Sequence, residues 1–513
     1  MENNRTKNTI KNVKTSFILQ IINKITAFIV RTIFIYTLNV EYLGVNGLFT
    51  NILTVLSFAE LGIGTAIIYN MYKPIAIGNH EKVKSLMCLY KKAYTIIGIV
   101  VFLLGISLIP FLDVLVKDVP QIKENITLIY VLFLINTSVS YFYSYNKSIL
   151  LATQEQSVIN RIDSILYLVK CVLEIILLLI FKNYLVYLII EILFTIFENI
   201  YVSWTAYKMY PEILSGKAQK LDKKEGKVIF SNVKSLVIYK LGTVIMTGTD
   251  NILVSTLVNV AAVGLCSNYN LIISSVNAII NSSLNGVVGS IGNLNAIAKP
   301  EKKESIFYQL TFIYYMLYSA ATIMLITLLN PFIKMWLGNE YVLNISISIA
   351  LAISFFIAGM RESGYIYRTT LGLFNKSQAT PYIGAFVNIV LSIILCKYIG
   401  LVGIFIATSI AQLVSYSWID PYLIHKYEFK TPVTKYFKKY FIYCVIFLLE
   451  LLVCMTICKN ITVSNIYINF LIRGVICCFI PIIINIIMFR KTVEFSLLYD
   501  RFAKPIIKKY IKE

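Results

Sequence analysis

Acidic residues and histidines are scarce in this chain of 513 residues. It has 26 Asp and Glu against 47 Lys and Arg, and its only histidines are His80 and His425. The nine cysteines are scattered, and none has the spacing of a zinc or redox motif. So few ligating and titrating side chains predict neither a metal site nor a cofactor. Because no nucleophile or acid–base constellation stands out either, we expect a protein that is not an enzyme.

Long polar segments are also missing. The chain is 58% hydrophobic with a mean hydropathy of +0.74, more apolar surface than a water-soluble core can bury. Fourteen apolar stretches each reach the roughly 20 residues needed to cross a bilayer. Backbone groups in lipid must be satisfied within their own segment, which favours helices. The sequence therefore predicts an all-α integral membrane protein with 14 transmembrane helices, near 16–38, 43–71, 93–112, 126–146, 162–181, 184–207, 230–258, 262–292, 306–330, 342–366, 380–398, 401–424, 438–458 and 467–489.

The basic residues are distributed unevenly between the loops. They collect in the two tails and in the second, sixth and twelfth loops, while the intervening loops hold few. By the positive-inside rule, both termini are predicted to be cytoplasmic. The net charge of +21 is thus a topology signal. A nucleic-acid partner is not expected, because the cations do not gather on a soluble face.

An internal repeat lays residues 12–82 over 232–302 without a gap. In this register Asn39-Val40 matches Asn259-Val260, and Gly44 matches Gly264. Six spans separate the copies, so both have the same orientation in the membrane. This predicts two parallel six-helix lobes related by a pseudo-two-fold axis along the membrane normal. The predicted division is an N-terminal lobe (1–207), a cytoplasmic linker (208–229), a C-terminal lobe (230–430), and helices 13 and 14 with a basic tail (431–513).

Cations lie inside several predicted spans. Lys24 and Arg31 share one face of the first span, and Lys240 lies in the seventh. A charge at a helix centre costs about 2.5–3.5 kcal/mol even on the lenient insertion scale, so these residues indicate a pathway for an anion. Other polar residues accompany them at helical spacing: Gln20 and Asn23 in the first span, Asp250 in the seventh, Asn270, Ser274, Asn277 and Asn281 in the eighth, and Arg361 and Arg368 in the tenth.

Several of these residues have a structural alternative. The stripe of the eighth span either lines a cavity or joins neighbouring helices. Arg368 and Lys147, close to predicted cytoplasmic ends, either function or reach the interface with their charged heads. In the fifth and sixth spans a structural charge network is favoured, in which Lys170 pairs with Glu174 at i, i+4 and Glu191 and Glu198 share a face. Glu60 precedes two glycines, at a predicted bend.

Three stretches resemble bacterial polysaccharide flippases of the Wzx type, in the multidrug/oligosaccharidyl-lipid/polysaccharide exporter superfamily. They begin at Glu60-Leu61-Gly62-Ile63-Gly64, at Thr249-Asp250-Asn251 and at Pro331-Phe332-Ile333-Lys334-Met335-Trp336-Leu337-Gly338. The resemblance implies a two-lobed bundle with a central cavity and alternating access, in the bacterial plasma membrane. The implied cargo is an undecaprenyl-diphosphate-linked oligosaccharide, moved outward for capsule or O-antigen synthesis.

This cargo agrees with the polar residues. We expect Lys24, Arg31, Lys240 and Arg361 to bind the phosphates, and Gln20, Asn23, Asn270, Ser274, Asn277 and Asn281 to line the sugar path. Glu60, Asp250, Glu191 and Glu198 are the candidates for coupling or for a charge network. Besides membrane lipids, the expected partners are the polymerase and chain-length machinery. Two alternatives stay open: a multidrug or cation exporter of the same superfamily, and a membrane polymerase or ligase.

Overall fold

The computed structural model describes residues 21–60, 63–116, 122–153, 155–215, 241–245, 248–461 and 463–498. Within these residues the chain is helical, and eleven helices are long and apolar enough to cross a membrane. The protein is therefore a multi-pass membrane protein. It divides into two compact units, Met1–Gly264 and Leu265–Glu513.

The first unit is built from helices. Short helical turns at Ser57–Glu60, Ile109–Phe111, Leu112–Leu115, Lys147–Ala152 and Pro211–Leu214 link or extend the long helices. The long helices are α1 (21–37), α2 (Val40–Leu56), α3 (Ile63–Ala76), α4 (His80–Leu108), α5 (Ile126–Ser144), α6 (Gln156–Phe181), α7 (Tyr184–Met209) and α8 (241–257, described except at 246–247).

The second unit begins inside α9, whose first residues belong to the first unit. Further short turns lie at Asn339–Tyr341, Leu373–Lys376, His425–Phe429 and Val493–Leu498. The long helices are α9 (Val260–Ile297), α10 (Pro300–Trp336), α11 (Ile345–Met360), α12 (Glu362–Thr370), α13 (Thr380–Ile399), α14 (Leu401–Val414), α15 (Tyr416–Ile424), α16 (Thr434–Asn460) and α17 (Ile466–Phe489).

Asn39 and Asn259, which match in the repeat, have the same structural role. The Asn39 side chain accepts hydrogen bonds from the backbone N–H groups of Glu41 and Tyr42 at the start of α2. Asn259 accepts one from Ala262, at 2.8 Å, at the start of α9. Asn is favoured there because its side-chain oxygen satisfies N–H groups that have no partner within the helix. The repeat thus reflects equivalent helix starts.

Three predicted continuous spans are interrupted in the structure. The span predicted over 43–71 runs as α2 and α3 with a short turn at Ser57–Glu60 between them. The span over 342–366 breaks at Arg361, and the span over 401–424 breaks at Ser415. Hydropathy does not detect these breaks because apolar residues continue on both sides of them.

Candidate functional site

Arg31 lies on α1 and faces α6 and α7 of the first unit. Its side chain is half-buried and interacts electrostatically with Tyr187 and Tyr167. Phe34, one helical turn further along α1, packs edge-on against Tyr187 with ring centroids 5.3 Å apart. The cation therefore lies near two tyrosines of its own unit.

Tyr187 connects this cation to a group of carboxylates. Lys170 Nζ lies 2.8 Å from Glu191 Oε1 and 3.5 Å from Glu174 Oε1, and Tyr187 Oη donates to Glu191 Oε1 at 3.3 Å. The predicted pairing of Lys170 with Glu174 is thus confirmed. With Arg31, the group holds two formal positive and two formal negative charges. We call Arg31, Tyr167, Lys170, Glu174, Tyr187 and Glu191 the Arg31 cluster.

A polar cavity of about 340 Å³ adjoins the Arg31 cluster. Its volume is in the range of small-molecule sites. Tyr187 and Glu191 belong both to the cluster and to the cavity wall. The rest of the wall comes from α2, α5 and α7 and from Ser57, just after α2, and its polar members are Asn46, Thr50, Thr54, Ser57, Asn136 and Thr137. Amide and hydroxyl groups of this kind both donate and accept hydrogen bonds, as sugar hydroxyls require.

The earlier part of α1 also contacts α6. Asn23 Nδ2 donates to Ser164 Oγ at 3.3 Å, and Lys24 beside it is half-buried. Next to Ser164 on α6, Asp163 pairs with Lys147 at 2.8 Å, and Glu198 of α7 interacts electrostatically with both. Lys147 therefore has a carboxylate partner inside the unit.

Glu60 ends the turn between α2 and α3, where the sequence predicts a bend. Tyr94 Oη donates to Glu60 Oε1 at 2.7 Å, and Tyr90 Oη lies 3.1 Å from Tyr94 Oη. Two tyrosines of α4 thus fix the carboxylate at the helix break.

Arg361 lies at a helix break in the second unit. It separates α11 from α12, and its guanidinium carbon lies 4.4 Å from the ring centroid of Tyr416, the first residue after the break between α14 and α15. Two broken helices therefore meet at one cation–π contact. Transporters commonly build ligand sites from such discontinuous helices, whose freed backbone groups face a cavity.

The position of Arg368 rules out one of its two predicted roles. Its side chain is fully buried, with Nη1 3.4 Å from Asp420 Oδ1, and Asp420 is 2% exposed. The interpretation that Arg368 reaches the membrane interface is wrong. Asp420 also interacts electrostatically with Arg361, and Glu362 interacts with both cations, so two acids accompany the two cations of this region.

The predicted stripe of α9 does not have a single environment. Tyr318 Oη donates to Asn277 Oδ1 at 2.5 Å, which supports the helix-joining alternative for this residue. Ser274 is exposed and its hydroxyl donates to the backbone of its own helix, at Leu271 O. Asn270 is exposed and Asn281 half-buried.

Among the other predicted site residues, Gln20 and Lys240 lie outside the described residues. Asp250 is half-buried on α8. Sequence reasoning missed the cavity wall of the first unit, although Asn46, Thr50 and Thr54 repeat every four residues. This spacing is the same signal that identified the stripes of the first and eighth spans.

No protein-family profile and no curated protein matches this sequence. Solved structures do match. Lipid II flippase MurJ in an inward closed conformation has a TM-score of 0.66 at 17% identity, covering 93% of this chain and 99% of that chain. An inward-facing multidrug resistance MATE family transporter of the MOP superfamily has a TM-score of 0.62 at 15% identity, covering 79% and 97%. A point mutant of the Vibrio cholerae MATE transporter VcmN has a TM-score of 0.56 at 15% identity, covering 83% and 99%.

These likenesses establish the fold. The chain has the all-helical fold of the MATE and MurJ transporters of the MOP superfamily. The match to MurJ covers more of this chain than the match to either MATE transporter. All three matches cover nearly the full length of the other protein.

Proposed function

We propose that this protein is a flippase that moves undecaprenyl-diphosphate-linked oligosaccharide repeat units from the inner to the outer leaflet of the bacterial plasma membrane. The polymer served would be of the capsule or O-antigen type, made with a polymerase and chain-length machinery. The main supporting observation is the cavity of about 340 Å³ with amide and hydroxyl groups in its wall, together with Arg31 of α1, which interacts electrostatically with Tyr187 of that wall. Its hydroxyl and amide groups suit sugars, and a guanidinium suits a phosphate.

In this proposal the cations and the uncharged polar groups bind different parts of the substrate. Lys24 and Arg31, with Lys240 and Arg361, bind the diphosphate, while Asn23 and the polar cavity wall bind sugar hydroxyls. The membrane potential favours export, because two negative charges moved outward across 100 mV, inside negative, gain about 4–5 kcal/mol. The likeness to a lipid II flippase over 93% of this chain lends support.

A second candidate function is export of organic cations. It is favoured by Glu191, an acid in the cavity wall, and by the likeness to multidrug transporters. The two candidates differ in what Arg31 does, because a cation-binding cavity gains nothing from a guanidinium next to its wall.

The test is translocation by purified protein in liposomes. The probe is a fluorescent polyprenyl-diphosphate-linked oligosaccharide, whose exposure at the outer surface is followed with an impermeant quencher. Wild-type protein is expected to accelerate the exchange. Arg31→Ala and Lys24→Ala should each slow it about tenfold or more, since one charge-assisted contact to phosphate is worth roughly 1.5–3 kcal/mol. Arg31→Lys should be affected less, because the charge is kept.

Lys92→Ala is the matched control, since Lys92 is an exposed cation of the same unit. Equal rates for wild type, Arg31→Ala and Lys24→Ala would contradict the proposal. Efflux of a cationic dye that Glu191→Gln abolishes and Arg31→Ala leaves intact would identify the exporter instead.

A further inference from the structure

A second cavity, independent of the proposed function, lies at one end of the second unit. It has a volume of about 410 Å³ and forms where α10 ends and α17 begins, the end that the charge pattern predicts to face outward. The residues that line it are Asn330, Pro331, Lys334, Val342, Val463, Ser464, Ile466, Asn469, Phe470 and Arg473. It includes part of the Pro331–Gly338 motif, for which the proposed function gives no role.

Hydrogen bonds fix one wall of this cavity. Asn330 Oδ1 accepts from Tyr269 Oη at 2.8 Å and also from Ser348, while Asn330 Nδ2 donates to Leu343 O at 3.0 Å. The link after α10 turns at Gly338, whose φ of 108° is a conformation that favours glycine. The cavity is thus bounded on one side by the segment after α10, which these hydrogen bonds hold in place, and on the other side by α17.

Two cations line the cavity without an acid. Lys334 lies in the last turn of α10, and Arg473 lies seven residues into α17, about 10 Å along its axis. Neither has a carboxylate within salt-bridge distance among the described residues. In that same part of the chain the buried Nε of Arg473 donates no hydrogen bond. A buried donor without a partner is unfavourable, so an anion in the cavity would satisfy it.

The aromatic side chains beside this cavity are of the kind found at the membrane interface. Phe332 packs against Trp336 and against Phe470 of α17, with ring centroids 5.8 and 6.1 Å apart. Tryptophan is enriched at the level of the lipid headgroups. Beyond the cavity about half of the side chains of α17 are exposed, and these are apolar, which provides a surface for acyl chains.

We propose that this cavity binds the phosphate group of an anionic membrane phospholipid. Arg473 and Lys334 would contact the phosphate oxygens, the amide of Asn469 and the hydroxyl of Ser464 the polar headgroup, and α17 the acyl chains. The exposed apolar helix favours a lipid over free phosphate as the source of the anion.

Lipid binding to the full-length purified protein tests the proposed site. Native mass spectrometry measures the binding of phosphatidylglycerol and, separately, of phosphatidylcholine. The first binding event is expected to be tighter for phosphatidylglycerol. Arg473→Gln should weaken it about tenfold, as expected for loss of a charge-assisted contact, and should weaken phosphatidylcholine binding less, because that headgroup has no net charge. Lys334→Gln should have a smaller effect because Lys334 is exposed. Arg473→Lys, which keeps the charge, should retain part of the preference and guards against a folding defect in Arg473→Gln.

Lys397→Gln is the matched control, because Lys397 is an exposed cation in the last turn of another helix of this unit, α13. An equal loss of phosphatidylglycerol in Lys397→Gln, or equal binding of the two lipids by wild type, would overturn the proposal. Displacement of phosphatidylglycerol by excess inorganic phosphate would identify a free-phosphate site and overturn the assignment to a lipid.

Discussion

The pair of Arg368 and Asp420 illustrates how a charge is kept inside a membrane unit. Both side chains are almost completely buried, 3.4 Å apart at their closest charged atoms. Burying two charges is unfavourable, and their attraction offsets this only while both are present. The consequence is an asymmetry: removal of one partner harms the unit more than removal of both.

We therefore expect Arg368→Met to destabilise the protein strongly, by about 3–5 kcal/mol, because it leaves a buried carboxylate without its cation. The double variant Arg368→Met/Asp420→Leu should be closer to wild type. Apparent melting temperatures of the purified protein in detergent would measure this. A double variant that loses as much as the sum of the single variants would show that the pair is not energetically coupled.

The partners of the charged side chains are the part of the site that the sequence could not predict. The intramembrane cations were visible in the sequence, because a charge stands out in an apolar run. Their partners were not, since Tyr187 lies more than 150 residues from Arg31 and only the packing of α1, α6 and α7 brings them together. The Lys170–Glu174 pair was predictable because both residues lie within one helical turn.

At the scale of helices, the closest crossing in the first unit joins α2 to the start of α9. A Cβ atom added to Gly44 would lie 2.1 Å from Val260 O, and one added to Gly264 would lie 2.2 Å from Val40 O. Under the repeat, Gly44 matches Gly264 and Val40 matches Val260, so the two contacts are equivalent. Glycine is required here because the backbones touch, as at other small-residue crossings in membranes.

Gly44→Ala and Gly264→Ala should each lower the apparent melting temperature, because the added methyl group meets a backbone carbonyl that cannot move aside. The double variant should lose less than the sum, since either change already separates the helices. Gly474→Ala on α17 is the control, as its nearest neighbour would be Leu328 Cδ1 at 3.7 Å, an ordinary contact. Equal losses at all three positions would argue against the crossing.

Helix positions were largely predictable, and helix breaks were not. Apolar runs locate each described long helix to within several residues at most ends, because lipid selects for length and hydrophobicity. The breaks at Arg361 and Ser415 lie at a contact between two helices, the stacking of Arg361 on Tyr416. A hydropathy profile contains no information about such a contact.

At the scale of the whole molecule, the orientation in the membrane follows from the loops rather than from the helices. The predicted cytoplasmic loops hold most of the Lys and Arg, including Lys92, while Lys397 lies at the predicted outer end of the eleventh span. Both side chains are exposed. Positive-inside selection acts on short loops of this kind during insertion, so the bias should determine the sidedness of every span.

A labelling experiment tests this orientation. In a background with the nine native cysteines replaced, a membrane-impermeant maleimide should label Lys397→Cys in intact cells and Lys92→Cys only after the membrane is permeabilised. The residues lie on α13 and α4, so one experiment examines both predicted lobes. Labelling of both positions from outside would contradict the predicted parallel orientation of the two lobes. Labelling of Lys92→Cys alone would invert the whole topology, and the outward direction proposed for the lipid-linked cargo would be wrong with it.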